Sequence, residues 1–166
     1  VSTDGVVFHT GDPEESLKAT SKVLLIDAET GKAVPAWAEV DRNTDTPSEQ
    51  AFIIRPFQRL ENRRRYIVAL QGLKDAAGAA LQAPKAFARL RDGRGGRPGN
   101  DPALQALQAR YDAQLFPAIE RLGVARAGLQ LAWDFTTASE EVSTRDLLAV
   151  REAVLAKMKE APPVVT

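Results

Sequence analysis

The chain has 166 residues, 44% of them hydrophobic, with 22 Lys and Arg against 22 Asp and Glu, so its net charge is zero. That length fits one domain, or one domain with an appendage, the apolar content excludes wholesale disorder, and the charge balance argues against a nucleic-acid binder held by bulk charge. The absence of cysteine removes disulfide scaffolds, thiol nucleophiles and Cys-ligated metal sites, and no apolar run approaches the ~20 residues of a membrane span.

Residues 1–18 carry no signal-peptide pattern, as expected of a mature protein or of a piece of a longer one. Val6-Val7-Phe8 predicts a short strand, and Gly11-Asp12-Pro13 a turn. His9 is the single histidine. A general base or metal ligand needs partners that the spacing does not supply, so an edge or surface position is expected. Residues 23–40 predict a hairpin: VLLIDA, a Glu29-Thr30-Gly31-Lys32 turn, then AVPAWAEV. Val34, Ala36, Ala38 and Val40 share one face by the period of two, which puts Trp37 on the other with Glu39, in a second packing layer or an exposed contact.

Residues 41–50, DRNTDTPSEQ, are a polar loop. Asp41, Asn43 and Asp45 imitate the opening of a calcium loop, but Thr46 stands where the turn needs Gly, and Phe52 where a bidentate Glu is required. A solvated turn is the expectation. Ala51–Ile54 reads as a buried strand, and Pro56 marks an edge, a bulge or the strand's end. Arg63-Arg64-Arg65 lacks aromatic interleaving and is expected to face water in a loop. Residues 66–71 are mostly apolar on both faces and predict a central strand covered on both sides.

From Ala83 the period becomes helical. Pro84 suits a first helical position, with Phe87 and Leu90 on one face. The glycine-rich loop at 92–100 is not a phosphate loop, since no strand precedes it and no Lys-Ser/Thr follows. Asp101 caps a long helix whose stripe is Leu104, Leu107, Tyr111, Leu115, Ile119 and Leu122. Pro117 is expected to kink or split it, and Gly123 to end it. Residues 129–139 return to strand. Leu129, Leu131, Trp133 and Phe135 are predicted on one face, opposite Gln130, Ala132, Asp134 and Thr136. Asp134 has no partner visible by spacing and reads as a structural carboxylate rather than a catalytic acid. A final helix starts near Ser139 or Ser143, with the stripe Leu147, Val150, Val154, Leu155 and Met158. It packs back on the sheet or leads into a following domain, and Ala161-Pro162-Pro163 resembles a linker boundary.

Several of these stretches, taken together, resemble bacterial Ig-like domains of secreted and surface proteins. They are Asp27-Ala28-Glu29-Thr30-Gly31, then Pro56, Leu60 and Tyr66-Ile67-Val68, and the closing Phe135-Thr136-Thr137. Gly72-Leu73-Lys74-Asp75-Ala76-Ala77-Gly78, followed by a helical insert and the Trp133–Ser139 strand, is similar to the N-terminal region of bacterial extracellular lipases of the virulence-factor type. The likeness covers residues 23–139. It implies an α+β fold: an Ig-like antiparallel β-sandwich over 1–139 with a helical hairpin inserted at about 84–123, and a C-terminal helix over 140–161 leading to a linker. It also implies an extracellular, periplasmic or cell-surface location in a bacterium. The chain departs from a complete lipase in having no Gly-x-Ser-x-Gly elbow and only one His. A catalytic domain would then lie downstream of Thr166 or be absent.

Three functions compete. The first is a non-catalytic accessory or interaction module of a larger exported protein, with no catalytic residue, no cofactor and no metal site. Its partner is a neighbouring domain or another protein rather than nucleic acid, contacted through the helical insert and the last helix. The second is a small hydrolase built on carboxylates such as Glu39, Asp41 and Asp134. The third is a glycan- or lipid-binding module using Trp37, Tyr66 and Tyr111 as a platform.

Overall fold

The computed structural model describes residues 1–97, 99 and 101–161. The loop residues Pro98 and Asn100, and Pro162 and Pro163 of the expected linker, lie outside the described residues. The architecture is α+β. A four-stranded antiparallel sheet runs in the order β2 (Ala33–Val34), β1 (Val23–Asp27), β5 (Arg65–Gln71), β6 (Leu129–Thr136), and a separate antiparallel pair joins β3 (Ala36–Val40) to β4 (Phe52–Pro56). As its composition predicts, β5 is central, with β1 on one side and β6 on the other.

The predicted hairpin is cut in two. β2 makes only two pairs with β1, Leu25 with Val34 and Ile26 with Ala33, before Pro35 intervenes. A proline has no N–H to extend the ladder, and beyond it β3 crosses into the second sheet to pair with β4. Val34, Ala36 and Ala38 nevertheless line one core. β4 is a half-buried edge strand rather than the buried strand expected, and Pro56 closes it opposite Ala36. No strand forms at 6–8, but Val7 O accepts from Ala38 N–H at 3.0 Å, so the N-terminal segment runs beside β3.

The central sheet is apolar on both faces because each face has its own cover. Leu24, Ile26, Ile67, Ala69 and Ala132 pack against Phe87, Leu90, Tyr111, Leu115, Phe116 and Ile119 from the helices. On the reverse face, Val23, Leu25, Tyr66, Val68 and Leu70 pack against Ala36 and Ala38, with Phe52 and Ile54 beside them. Full burial of one such Leu, Ile or Phe contributes about 1.5–3 kcal/mol, so each layer is integral to the fold.

The helices lie between β5 and β6 in the chain: α1 (Lys85–Arg91), α2 (Pro102–Arg110) and α3 (Phe116–Glu120). Asp101 caps α2, its carboxylate accepting from Ala103 N–H at 2.7 Å. The run is split into α2 and α3 ahead of Pro117, as expected. A π-turn at Tyr111–Leu115 precedes it, and Phe116 N–H donates to Tyr111 O, five residues back. The wider turn makes room where the proline ring would otherwise meet a carbonyl of the preceding turn. A bulge between Leu70 and Gln71 shifts the register of β6, so Leu129 joins the helix-side core, while Leu131, Trp133 and Phe135 stand opposite Leu70, Val68 and Tyr66. The strict alternation expected from Leu129 onward therefore holds only from Gln130.

After β6 the chain forms α4 (Glu140–Glu160), a helix of 21 residues. Ser139 rather than Ser143 caps it, Oγ accepting from Val142 N–H at 3.2 Å. It does not pack back on the sheet, and none of its residues is buried.

Candidate interaction surface

The free helix is held at its base by the loop that precedes β5. Arg63 adopts φ +54°, a left-handed conformation uncommon outside glycine. The turn this makes brings Arg63 N–H to Ala138 O at 3.2 Å and Arg64 O to Thr137 N–H at 2.9 Å. Thr137 Oγ1 accepts from Arg64 N–H at 2.8 Å and donates to Glu61 O at 2.6 Å. The Tyr66 hydroxyl receives Glu61 N–H at 3.0 Å. The chain leaving β6 is thus pinned for its last residues before Ser139. Arg63 also pairs with Glu141 in the first turn of α4, and both side chains are exposed.

Along α4, Val142, Leu147, Leu148, Val150, Val154, Leu155 and Met158 are 43–77% exposed. They make up seven of the eleven exposed large hydrophobics among the described residues. Isolated apolar side chains on a surface need no explanation, but a contiguous stripe marks a contact surface. Between the base of α4 and the loop opens a groove of about 700 Å³, lined by Asn62, Arg63, Val142, Arg145 and Leu148 among others. The helical insert, by contrast, turns its stripe into the core, with Leu107 left at the surface.

Of the arginine triplet, Arg63 faces water as expected, but Arg64 and Arg65 do not. Arg64 grips Asp27 through Nε and Nη2 at 2.7–3.1 Å and reaches Glu29 through Nη1 at 2.6 Å. Burial alone would raise the Asp27 carboxyl. The Arg64 guanidinium and the N–H groups of Thr30 and Glu29 outweigh it and hold the group below the ordinary value. Arg65 donates from Nε to Asp134 Oδ2 at 2.6 Å and from Nη1 to Gln114 at 2.6 Å. Asp134 also receives Arg110 of α2, so it ties the sheet to the helices and is not free for acid–base work.

Of the other candidate residues, Glu39 and Asp41 share a cavity that Asp134 does not reach. Glu39 pairs with Arg55 at 3.0 Å on the outer face of β3–β4. Asp41 accepts from Asn43 N–H at 3.0 Å, holding its own turn. Both line an open cavity of about 830 Å³ with Asp45, while Asp134 lies in the helix-side layer. Among the described residues no group of three or more His, Cys, Asp or Glu is arranged to hold a metal ion. Tyr66 and Tyr111 are buried in different cores and cannot share a platform with Trp37. Trp37 instead meets Phe8 at 5.8 Å and His9 at 5.4 Å, its ring 78° and 56° from theirs, with the Arg55 guanidinium 5.6 Å from its centroid. His9 is exposed, as expected.

Two polar residues of the frame were not foreseen. Gln108 is buried, accepts from Gly95 N–H at 2.8 Å and donates to Leu90 O at 3.1 Å and Asp112 Oδ2 at 2.8 Å. The Arg126 guanidinium lies 3.7 Å from the Phe116 ring centroid and donates to Leu90 and Arg91 carbonyls at the end of α1. Buried polar side chains must find partners, but a sequence does not say which loop will supply them. Comparison of the chain with protein-family models, curated proteins and solved structures found no match.

Proposed function

We propose that this chain is a non-catalytic accessory or interaction module of a larger exported bacterial protein, with α4 as its contact element. The observation that carries the reading is a long capped helix with no buried residue and a stripe of exposed apolar side chains, fastened at its base by Arg63, Thr137 and Ser139. In this reading the two sheets on either side of Val23, Leu25, Tyr66 and Val68 form an Ig-like sandwich. The helical layer is an insert in it, as in the N-terminal region of virulence-factor-type lipases. Two largely buried carboxylates support the frame: Asp27 and Asp134 are both committed to arginines. A glycan or lipid platform has less support, since the Phe8, His9 and Trp37 rings are steeply inclined to one another rather than coplanar.

The test is an ester-hydrolysis screen of the purified, folded chain with short-chain nitrophenyl esters. No turnover above buffer is expected. Hydrolysis that survives further purification and disappears on substitution of Glu39 or Asp41 would replace this reading with the carboxylate hydrolase.

A further inference from the structure

We propose that the partner of α4 is the α4 of a second copy, packed antiparallel about a two-fold axis near Val150. The inference rests on the interaction-module reading and names its partner. At 3.6 residues per turn, Leu147, Leu148, Val150, Val154, Leu155 and Met158 fall within one arc of roughly half the helix circumference. A two-fold interface needs a self-complementary patch. This stripe supplies one, since reversing the helix direction about Val150 brings Leu147 close to Val154 of the other copy.

Charge selects the direction. The first turn carries Glu140 and Glu141, and the last carries Lys157 and Lys159. Antiparallel packing lays the acidic end of one helix over the basic end of the other, whereas parallel packing sets like charge against like. Shape agrees. The helix of 21 residues is roughly 30 Å long, so antiparallel helices hold the two globular bodies at opposite ends. A membrane surface is a poorer match. A helix lying on anionic lipid is rich in Lys and Arg on its polar face, and α4 carries five acidic against four basic side chains.

Sedimentation velocity of the intact chain from micromolar to sub-millimolar concentration should show a reversible monomer–dimer equilibrium. Leu147→Glu should weaken dimerisation by about tenfold or more by placing a charge in the seam. Because no residue of α4 is buried, the variant should keep its circular dichroism below the concentration at which pairing occurs. Orientation is read by cross-linking, and the chain has no cysteine of its own to interfere. Val150→Cys should form disulfide dimers near the axis and Met158→Cys should not, since antiparallel packing sends the two 158 positions to opposite ends, whereas parallel packing would set them side by side.

A monomer at every concentration, a dimer indifferent to Leu147→Glu, or equal cross-linking at both positions would each overturn the proposal. So would a monomer that co-sediments with phosphatidylglycerol vesicles through α4. Ester hydrolysis by a dimeric chain would overturn the module reading and leave the pairing standing, whereas an inactive monomer would overturn the pairing alone.

Discussion

Asp134 shows how a residue without visible neighbours in the sequence becomes a junction. Its carboxylate side chain is 11% exposed and lies between Arg65 of β5 and Arg110 of α2. These partners come from positions 69 and 24 residues earlier in the chain, which no local pattern reports. Asp134→Ala would leave two guanidinium groups without their anion and should destabilise by about 1–3 kcal/mol. Arg110→Ala removes a half-exposed partner and should cost no more than about 1 kcal/mol. Denaturant titration of both variants checks the order, and equal losses would contradict it. Arg64 and Arg65 depart from the expected solvated loop for the same reason: their carboxylates are supplied by β1 and β6, whereas Arg63 stays exposed. For Asp27 the sign of the pH effect follows from its lowered folded pKa. Its contribution is present above the ordinary value near 3.8 and is lost as pH falls through the lower folded value. Stability should therefore decline as pH drops below about 4, and Asp27→Asn should flatten that decline. An identical acid limb in the variant would exclude Asp27 as its source.

Helices and strands declared themselves by period, but their junctions did not. The central strand, the helical pair between β5 and β6 and the capped final helix were all readable from spacing. The split at Pro35 and the bulge at Leu70/Gln71 were not, because both depend on which strand lies alongside. The glycine-rich segment after α1 is a further case. It reads as a flexible loop, yet Gly95 is fastened to Gln108 of α2. A Cβ at Gly95 would stand 2.7 Å from Gln108 Oε1 and 2.9 Å from Leu90 Cδ2. Gln108 has little freedom to retreat, since its amide also holds Leu90 O and Asp112. Gly95→Ala should therefore destabilise by about 1–3 kcal/mol, the cost of forcing extra volume into a packed site. Gly93→Ala meets no atom within 4 Å, but its φ of +68° disfavours a side chain by about 1–2 kcal/mol through backbone strain alone. Gln108→Ala separates the two, since it should relieve much of the penalty at Gly95 and none at Gly93. Thermal melts of the two double variants against their single parents measure that coupling.

Across the whole molecule, stability and contact surface are divided between different parts of the chain. The frame is everything that covers the central sheet, and its two cores meet across β1 and β5. The stripe on α4 has the same periodicity as the stripe of α2, and the sequence alone cannot say which of them will find a cover. Only the fold does so. Leu115 and Ile119 disappear beneath the sheet while Leu147 stands 77% exposed. Removing residues 140–161 should consequently leave the frame intact. The only ion pair that joins α4 to the frame among the described residues is Arg63–Glu141, and an exposed pair of this kind contributes about 0–1 kcal/mol. The truncated chain should melt cooperatively within a few degrees of the parent, and Tyr66 and Tyr111 should keep their protection from solvent. Excising 84–123 should have the opposite result. It strips Phe87, Leu90, Tyr111, Leu115, Phe116 and Ile119 from one face of β1 and β5, and the chain should lose its cooperative transition. Calorimetry of the two deletions tests the division directly. A large loss of stability on removing α4 would mean that the helix belongs to the frame and that its stripe is not free to bind.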